Sequence, residues 1–240
     1  MISIIVPTLN EEKVLKRTLE NLRRIDAVNY EIIVSDGGSK DKTVEIAESL
    51  ADKVIGNNSE RRQTIAEGRN AGAAAATGEI FLFLDADVII PEINEFISQT
   101  LRTFAINGKL VGLTVFLKVL PEHVTLSDKL FFGIVNRVNQ FSNNVLHIGA
   151  AAGECQMVRA SSFKQLGGFN PKLAVGEDQD LFARLSKIGK TWVETGLHVF
   201  HTSRRAHEIG WLKLHLLWWI NFLYIKIFKR SFNKEWEVIR

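Results

Sequence analysis

Short apolar runs alternate with amphipathic segments along residues 1–90 of the chain. The runs Ser3–Val6, Glu31–Val34 and Lys53–Ile55 are rich in β-branched residues, which predicts buried strands. Between them, apolar side chains recur every three or four residues, which predicts helices. Strands that alternate with helices at this spacing are typical of right-handed βαβ units, so we expect a parallel sheet flanked by helices.

The first helix is expected to start soon after the first strand. Pro7 cannot donate a hydrogen bond to a neighbouring strand, so the strand should end there. Thr8 or Asn10 then has a side chain suited to cap a helix that Glu11 and Glu12 open.

The run from Phe81 to Ile90 is apolar except for two carboxylates, Asp85 and Asp87. Burying a charge without compensation is costly, so a metal ion, a basic partner or a position at the open end of a strand must account for them. Open α/β sheets bind ligands at the carboxyl ends of their strands. The alternative is a turn in which one acid caps the next helix.

The second half of the chain predicts a helix from Pro91, a strand over Val111–Val119 and a strand near Thr191–Thr195. It also predicts a long amphipathic helix over Leu126–Val145, which has no obvious place in a simple doubly wound sheet. That helix either packs on the core or faces an acceptor or a membrane.

Three acids, Glu177, Asp178 and Asp180, stand in the first turn of a helix that follows Gly176. The helix dipole favours acids at this position, so one of them needs no functional explanation. Three exceed what capping requires, and we expect one of them to have a functional role.

Composition is that of one folded domain: 240 residues, 46% hydrophobic and 24% charged. A single cysteine, Cys155, permits no intramolecular disulfide, and the first residues do not resemble a signal peptide. We therefore expect a cytoplasmic protein.

The net charge of +3 conceals an asymmetry. The segment from His198 to Arg240 holds eight basic and three acidic residues (+5), which leaves 22 basic and 24 acidic residues (−2) elsewhere. It also holds four of the five tryptophans. Basic, aromatic segments suit anionic membrane surfaces or nucleic acid.

Residues Ile209–Phe228 approach the length of a bilayer span. Polar side chains such as Lys213 and Asn221 interrupt this segment, which argues against a simple transmembrane helix. Two interpretations remain: a helix in the membrane interface, with Trp211 and Trp218 at headgroup depth, or a helix buried in an oligomer.

With these motifs in order, the chain resembles the family 2 glycosyltransferases, inverting enzymes with the GT-A fold. The resemblance runs from Ser3 to about Arg205, and its motifs are Ile5-Val6-Pro7-Thr8-Leu9-Asn10-Glu11, Val34-Ser35-Asp36-Gly37-Gly38-Ser39, Arg69-Asn70-Ala71-Gly72, Asp85-Ala86-Asp87, Gly167-Gly168-Phe169 and Gly176-Glu177-Asp178-Gln179-Asp180-Leu181. Each motif alone is weak, whereas all of them in this order are a specific signal.

The resemblance implies a donor site on the first half of the chain. It implies that Asp36 hydrogen-bonds the base and that Asp85 contacts the ribose or a metal-bound water. The residues that would line the nucleotide pocket are Pro7, Thr8, Asn10 and Glu11. Other substrate contacts are expected from Gly168 and Glu177.

The resemblance further implies a metal ion, Mg²⁺ or Mn²⁺, held by Asp87 with Asp85, with His201 or His198 expected to complete the site. Asp178 would be the general base that takes the proton of the acceptor hydroxyl.

Three arginines have two interpretations each. Arg204 and Arg205 either clamp the diphosphate from a mobile loop or begin a membrane-binding tail. Arg69 either contacts phosphate or lies on a helix surface.

The sequence thus predicts an α/β protein with a GT-A domain over residues 1–205 and a basic, aromatic helical tail over 206–240. Residues 1–90 would bind the nucleotide and residues 91–205 the acceptor. The expected activity is inverting transfer of a hexose-type sugar from a nucleotide diphosphate donor, with UDP as the expected nucleotide, to an acceptor hydroxyl. The acceptor is expected to be a glycan or a lipid-linked molecule, and residues 209–230 are expected to touch the cytoplasmic face of a membrane.

Two alternative functions remain at this point. A sugar nucleotidyltransferase would want a glycine-rich, basic phosphate loop after the first strand, whereas residues 7–12 are glycine-free and acidic. A non-catalytic sugar-nucleotide binding module on a membrane would be expected to lack the acids at Asp87 or Asp178. No nucleic acid partner is expected.

Overall fold

A single seven-stranded sheet organises the computed structural model, which describes residues 1–57, 61–228 and 230–233. Its strands are β1 (Ile2–Thr8), β2 (Tyr30–Asp36), β3 (Lys53–Ile55), β4 (Ile80–Leu84), β5 (Leu110–Val119), β6 (Cys155–Arg159) and β7 (Lys190–His201). The helices are α1 (Leu15–Leu22), α2 (Thr43–Leu50), α3 (Ile65–Ala75), α4 (Ile93–Ile106), α5 (Leu126–Asn144), α6 (Ala160–Gln165), α7 (Glu177–Leu185), α8 (Arg204–Ile209) and α9 (Trp211–Phe228).

The sheet has the strand order β3-β2-β1-β4-β6-β5-β7. Strands β1 to β4 pair in parallel, as the alternation of strands and helices predicts. Side chains alternate between the two faces of each strand, so Ile4 joins the core on one side of the sheet and Ile5 the core on the other. Helices α1 and α4 cover the first face, where Leu19 and Phe96 are buried.

Strand β6 runs antiparallel to both β4 and β5, so the sheet is mostly parallel rather than wholly so. Because β6 starts at the end of the sheet where β4 finishes, the segment before it returns to the carboxyl end of β4. The amide of Asp85 donates to the carbonyl of Glu154 over 3.1 Å. This reversal places a segment from the second half of the chain beside the two acids after β4.

The first helix begins at Leu15, so the prediction that Glu11 and Glu12 open it is wrong. The residues before it form a loop whose backbone groups bond across to the loop after β2. Glu11 N donates to Thr43 Oγ1 over 2.7 Å, and Glu12 N donates to Asp41 Oδ2 over 3.2 Å. These bonds replace a helix cap and join the two loops.

Strand β7 continues to His201, whereas the sequence predicts a strand ending near Thr195. Its register against β5 shifts between Glu194 and His198, where the intervening residues bulge out. The bulge breaks the alternation of side chains, which hides the second part of the strand in the sequence pattern. The longer strand carries His201 to the same edge of the sheet as Asp87.

Helix α5 follows the predicted bounds within one residue and packs along β5 and β7 through its inner face. Asn136 fixes it there, because its side chain accepts from Leu117 N and donates to Leu117 O, each over 2.9 Å. Helices α8 and α9 come after β7. Trp211, at the start of α9, stacks on Phe131 of α5 with ring centroids 3.8 Å apart. None of the helices in the described ranges has the length and apolar content needed to cross a bilayer.

Candidate active site

The side chains that the sequence singled out converge at the edge of the sheet where β1, β2 and β4 end. Asp85 and Asp87 lie in a turn directly after β4, in which Val88 N donates to Asp85 O over 3.2 Å. This is the position at which open α/β sheets bind ligands. The expectation that the acids sit at the open end of a strand is therefore confirmed.

Arg69 of α3 is the buried centre of the site, with no exposed side-chain surface. Its Nη2 donates to Asp85 Oδ1 and to the carbonyl of Gly153, and its Nη1 donates to Glu177 Oε1, each over 2.8 Å. The alternative that Arg69 lies on a helix surface is wrong. One guanidinium thus joins the acid after β4 to the acid at the start of α7.

Helix α3 presents Arg69 from a well-defined start. Thr64 and Glu67 form a capping box, in which each side chain accepts from the backbone N–H of the other residue. Gly72 on the same helix allows close packing, since a Cβ atom there would lie 2.5 Å from a methyl of Ile5. The helix is therefore held tightly against β1, and the arginine is preorganised.

Asp178 occupies the first turn of α7, after Gly176 in the left-handed conformation (φ 80°). A Cβ atom on Gly153 would lie 3.5 Å from Asp178 Oδ2 and 3.0 Å from Arg69 Nη2, so both side chains flank that glycine. Burial raises the pKa of Asp178, and the positive charge of Arg69 opposes the rise. Burial and Asp178 likewise raise the pKa of Glu177, again against Arg69.

Glu154 is a further acid at this site, and the sequence motifs do not single it out. Desolvation and the negative charges of Asp85, Asp178 and Asp87 raise the pKa of Glu154 to about 8. The signal available in the sequence is a glutamate directly before an apolar strand. Desolvation and Asp87 also act to raise the pKa of Asp85, whereas Arg69 acts to lower it.

Arg204 supplies a second positive charge at the edge of this cluster. Its Nη2 lies 2.9 Å from Glu11 Oε2 and 3.3 Å from Asp87 Oδ2, and Asp87 also accepts from Thr202 Oγ1. Arg204 therefore links the ends of β1, β4 and β7, as a group within the site rather than the start of a tail. Arg205 follows it on α8 and is partly exposed.

His201 is buried beside the ring of Phe132, with centroids 4.8 Å apart. Ser203 N donates to its Nδ1 over 3.2 Å, so Nδ1 carries the lone pair and Nε2 of the neutral ring carries the proton. Burial lowers the pKa of His201, which keeps the ring neutral. Nε2 is buried and has no hydrogen-bond partner among the described residues, and the metal-ligand role expected of His201 stays a prediction.

Nowhere in the described residues do three His, Cys, Asp or Glu side chains form a group that could hold a metal ion. Asp85 and Asp87 do provide carboxylate oxygens, the ligands that Mg²⁺ and Mn²⁺ prefer. Proteins hold Mg²⁺ through one or two carboxylates when substrate phosphates supply further ligands. The acid pair fits that mode chemically.

The loops after β1 and β2 are held together by their own polar groups. Asp36 accepts from Gly38 N, Ser39 N, Ser39 Oγ and Thr8 Oγ1 over 2.5–3.1 Å, so both of its oxygens are engaged by the loops. Asn10, with a left-handed φ of 55°, accepts from Lys40 N over 2.8 Å. The base contact expected of Asp36 stays a prediction, whereas its role in shaping the loop is direct.

Two further expected site residues have backbone roles. Pro7 lies within β1 opposite Ser35 of β2, so the strand runs one residue past the predicted end, to Thr8. Gly168 has a φ of 79°, and a Cβ atom there would lie 2.5 Å from Asn70 Oδ1, so only glycine fits. Asn70 in turn bonds to both backbone groups of Phe169, which fixes this loop to α3. Substrate contact by Pro7 and Gly168 stays a prediction.

Comparison with known proteins places this arrangement in a family. The family described as glycosyl transferase family 2 matches residues 3–167. The succinoglycan biosynthesis protein ExoA of Rhizobium meliloti is 25% identical over 240 residues, which cover 97% of this chain and 70% of that protein. A dolichyl N-acetyl-α-D-glucosaminyl phosphate 3-β-D-2,3-diacetamido-2,3-dideoxy-β-D-glucuronosyltransferase of Methanococcus voltae is 37% identical over 136 residues, covering 52% of this chain and 41% of that protein.

Solved structures share the fold. The mannosyltransferase PcManGT from Pyrobaculum calidifontis, in complex with GDP-Man and Mn²⁺, has a TM-score of 0.73 at 18% identity, covering 96% of this chain and 64% of that one. TarS 1–349 of S. aureus, in complex with UDP-GlcNAc, has a TM-score of 0.68 at 21% identity, covering 85% of this chain and 58% of that one. The chain thus has the GT-A fold and spans less than two thirds of these structures.

The family match covers more than half of the chain and includes the loops after β1, β2 and β4. It agrees with the resemblance found in the sequence motifs. It also favours a transferase over the nucleotidyltransferase and the non-catalytic binding module. The chain therefore belongs to glycosyl transferase family 2.

Proposed function

We propose that this chain transfers a hexose-type sugar from a nucleotide diphosphate, with UDP as the expected nucleotide, to an acceptor hydroxyl with inversion. The observation that carries the proposal is the junction at Arg69. The guanidinium of Arg69 donates both to Asp85, in the proposed nucleotide half, and to Glu177, in the proposed acceptor half. Asp178 is the next residue after Glu177. A group that binds the leaving diphosphate and a group that takes a proton are thereby held in a fixed relation.

Binding of the donor would use the edge formed by the loops after β1 and β2. Asp36 accepts from Thr8 Oγ1 and Asn10 accepts from Lys40 N, so the two loops are bonded to each other and little conformational entropy is lost on binding. Related folds bind UDP-GlcNAc in TarS and GDP-Man in PcManGT, which supports a nucleotide-sugar donor.

Asp87, with Asp85, would hold a divalent ion, Mg²⁺ or Mn²⁺, through carboxylate oxygens. The bound ion would supply positive charge that stabilises the negative charge of the departing diphosphate. Arg204 already contacts Asp87 and would add its own guanidinium to that charge balance. PcManGT contains Mn²⁺ in its complex, which supports the assignment.

Asp178 would act as general base toward the acceptor. In the transfer, a bond forms between the acceptor oxygen and the anomeric carbon, the bond from that carbon to the diphosphate breaks, and the acceptor proton passes to the Asp178 carboxylate. Burial makes this carboxylate more basic, while Arg69 keeps it in its charged form. Glu177 would keep Arg69 in place.

We propose a lipid-linked or membrane-proximal acceptor on the cytoplasmic face of a membrane. The segment over residues 209–230 is basic and aromatic, which suits an interfacial position, although residue 229 lies outside the described residues. The relative from Methanococcus voltae is named for a dolichyl-phosphate substrate, which supports a polyprenyl-linked acceptor.

A thermal-unfolding screen of UDP- and GDP-sugars, with and without Mn²⁺, tests the donor proposal. A ligand that binds the native state raises the unfolding temperature, and we expect this for one nucleotide sugar in the presence of Mn²⁺. Asp87→Asn should abolish the Mn²⁺-dependent part of the shift. Asp26→Asn is the control. Asp26 is exposed in the loop before β2, at the amino ends of the parallel strands and away from the site, so this variant should leave the shift unchanged. A shift in Asp87→Asn equal to that of the wild type would refute the metal site.

A further inference from the structure

One side of helix α5 carries large apolar side chains exposed to solvent. They recur at spacings of four, four, four, three and four residues, which places them on one helix face. Each is more than half exposed, reaching 83% at Leu126. This outer stripe consists of Leu126, Leu130, Ile134, Val138, Phe141 and Val145. Contiguous apolar patches of this kind mark interaction surfaces.

The outer stripe belongs to a helix whose other face is firmly packed. Asn136 bonds to both backbone groups of Leu117, and Asn143 donates to the carbonyls of Asn139 and Ala150. The buried polar groups of α5 are thus satisfied within the domain. The helix could not rotate to bury its outer stripe without breaking these bonds.

Helix α9 lies alongside α5 and also exposes apolar side chains. It contacts α5 through Trp211 and Trp218, which pack on Phe131. Leu212 and Leu216 remain exposed on α9. Two neighbouring helices therefore both present apolar surface to solvent.

The exposed charged side chains that α5 and α9 themselves carry are all basic. The only acid of α5 is Asp128, which is buried and accepts from His207 Nε2 and Trp211 Nε1 over 2.8 and 2.9 Å. Helix α9 contains no acid. Lys129 and Arg137, in contrast, are exposed on α5. The surface is apolar and cationic, without an exposed carboxylate on either helix.

This charge pattern selects the partner. Two copies of the chain meeting through the outer stripe would bring two cationic helix surfaces together, with no exposed carboxylate of α5 or α9 to pair with Lys129 and Arg137. An anionic bilayer supplies both an apolar layer and opposite charge. We propose that the outer stripe of α5 inserts into the interface of an anionic lipid bilayer, with Lys129 and Arg137 among the headgroups.

The proposal extends the membrane-proximal part of the proposed function from α9 to α5. It rests on that function only for the identity of the acceptor, because lipid binding requires no transfer. The inner face of α5 carries Phe132, which contacts His201 at the end of β7. A bilayer seated on the outer stripe would therefore lie about one helix diameter, roughly 10 Å, from His201.

Co-sedimentation of the full chain with vesicles tests the surface, using phosphatidylglycerol–phosphatidylcholine vesicles and pure phosphatidylcholine vesicles. We expect the wild type to sediment with the anionic vesicles, and Ile134→Glu with Val138→Glu to lower the bound fraction about tenfold. Ile106→Glu is the matched control, because Ile106 is a 79% exposed isoleucine on α4 and should have no effect. Unfolding temperatures equal to that of the wild type show that the variants fold.

Several outcomes would overturn the proposal. One is a wild type that stays in the supernatant, and another is an Ile134→Glu/Val138→Glu variant that binds as well as the wild type. A lipid-free dimer that this variant dissociates, measured by light scattering, would assign the stripe to a second copy instead. Loss of binding only in Leu212→Glu with Leu216→Glu would confine the contact to α9. The nucleotide screen is independent of lipid, so failure of the donor proposal would be seen separately.

Discussion

Glu31 and Glu154 are two glutamates of one sheet whose surroundings shift their acidity in opposite directions. Glu31, on β2, accepts from Lys53 Nζ, Ser3 Oγ and Thr77 N over 2.6–2.8 Å. These partners outweigh desolvation and lower the pKa of Glu31 to about 2. Glu154 has other carboxylates around it, and its pKa rises to about 8.

The difference separates acids that hold the fold from acids that are available for chemistry. Within residues 1–90, Glu31 and Asp36 have their oxygens filled by hydrogen-bond donors from the same segment. At the site, six acids surround two cations, Arg69 and Arg204; the acids are Glu11, Asp85, Asp87, Glu154, Glu177 and Asp178. That excess negative charge is a cost to folding and a means of binding a cation. Carboxyl groups whose pKa values are shifted in this way are concentrated at functional sites.

Removing the central cation should have the largest effect on stability. Arg69→Ala removes the shared partner of Glu177, which is buried, and of Asp85, which is partly buried, so we expect a loss of about 3–5 kcal/mol in the free energy of unfolding. Urea unfolding at neutral pH measures it.

The matched control for Arg69 is another arginine whose ion pair lies at the surface. Arg17 pairs with Glu122, and both side chains are largely exposed, so Arg17→Ala should leave the unfolding midpoint unchanged. Equal midpoints for Arg69→Ala and the wild type would show that the site acids do not depend on this arginine.

Glu31→Gln should have the next largest effect. Because the folded-state pKa lies below its ordinary 4.5, the stabilisation is present above pH 4.5 and is lost as the pH falls toward 2. We expect the variant to lose about 2–3 kcal/mol at neutral pH, with the difference from the wild type shrinking at acid pH. Urea unfolding of both proteins at neutral pH and at a pH near 2 checks this. A difference in the free energy of unfolding that is the same at both pH values would contradict it.

Glu154→Gln should have a small effect of the opposite sign. Since the folded-state pKa lies above 4.5, the wild type loses stability as the pH rises from 4.5 to about 8, and a neutral glutamine does not. In metal-free protein at pH 8, we expect the variant to be more stable by about 1 kcal/mol. A less stable variant would mean that Glu154 has a favourable partner.

The local features of the fold could be predicted from the sequence. The strands β1, β2 and β4 follow from apolar runs, and the place of Asp85 and Asp87 follows from two acids at the end of such a run. These signals lie within a few residues of each other. The bounds of α5 were predictable for the same reason, because its apolar spacing extends over many turns.

Other features depend on contacts between distant residues. Arg69 meets Glu177 across 108 positions, and this contact exists only because β6 reverses beside β4. The reversal also brings Glu154 next to Asp85, a contact that the spacing of apolar residues along the sequence cannot indicate. The start of α1 at Leu15 was missed because the loop before it bonds to residues about thirty positions away.

The most direct test of the central claim compares donor binding with sugar transfer in Asp178→Asn. The substitution removes the proton acceptor and keeps the shape of the side chain, so we predict a loss of transfer of about 10²–10⁴-fold with Mn²⁺-dependent donor binding retained. Asp180→Asn is the control on the same helix turn, since Asp180 pairs with Arg184 and should leave transfer unchanged. Transfer at the wild-type rate by Asp178→Asn would contradict the assignment of the base.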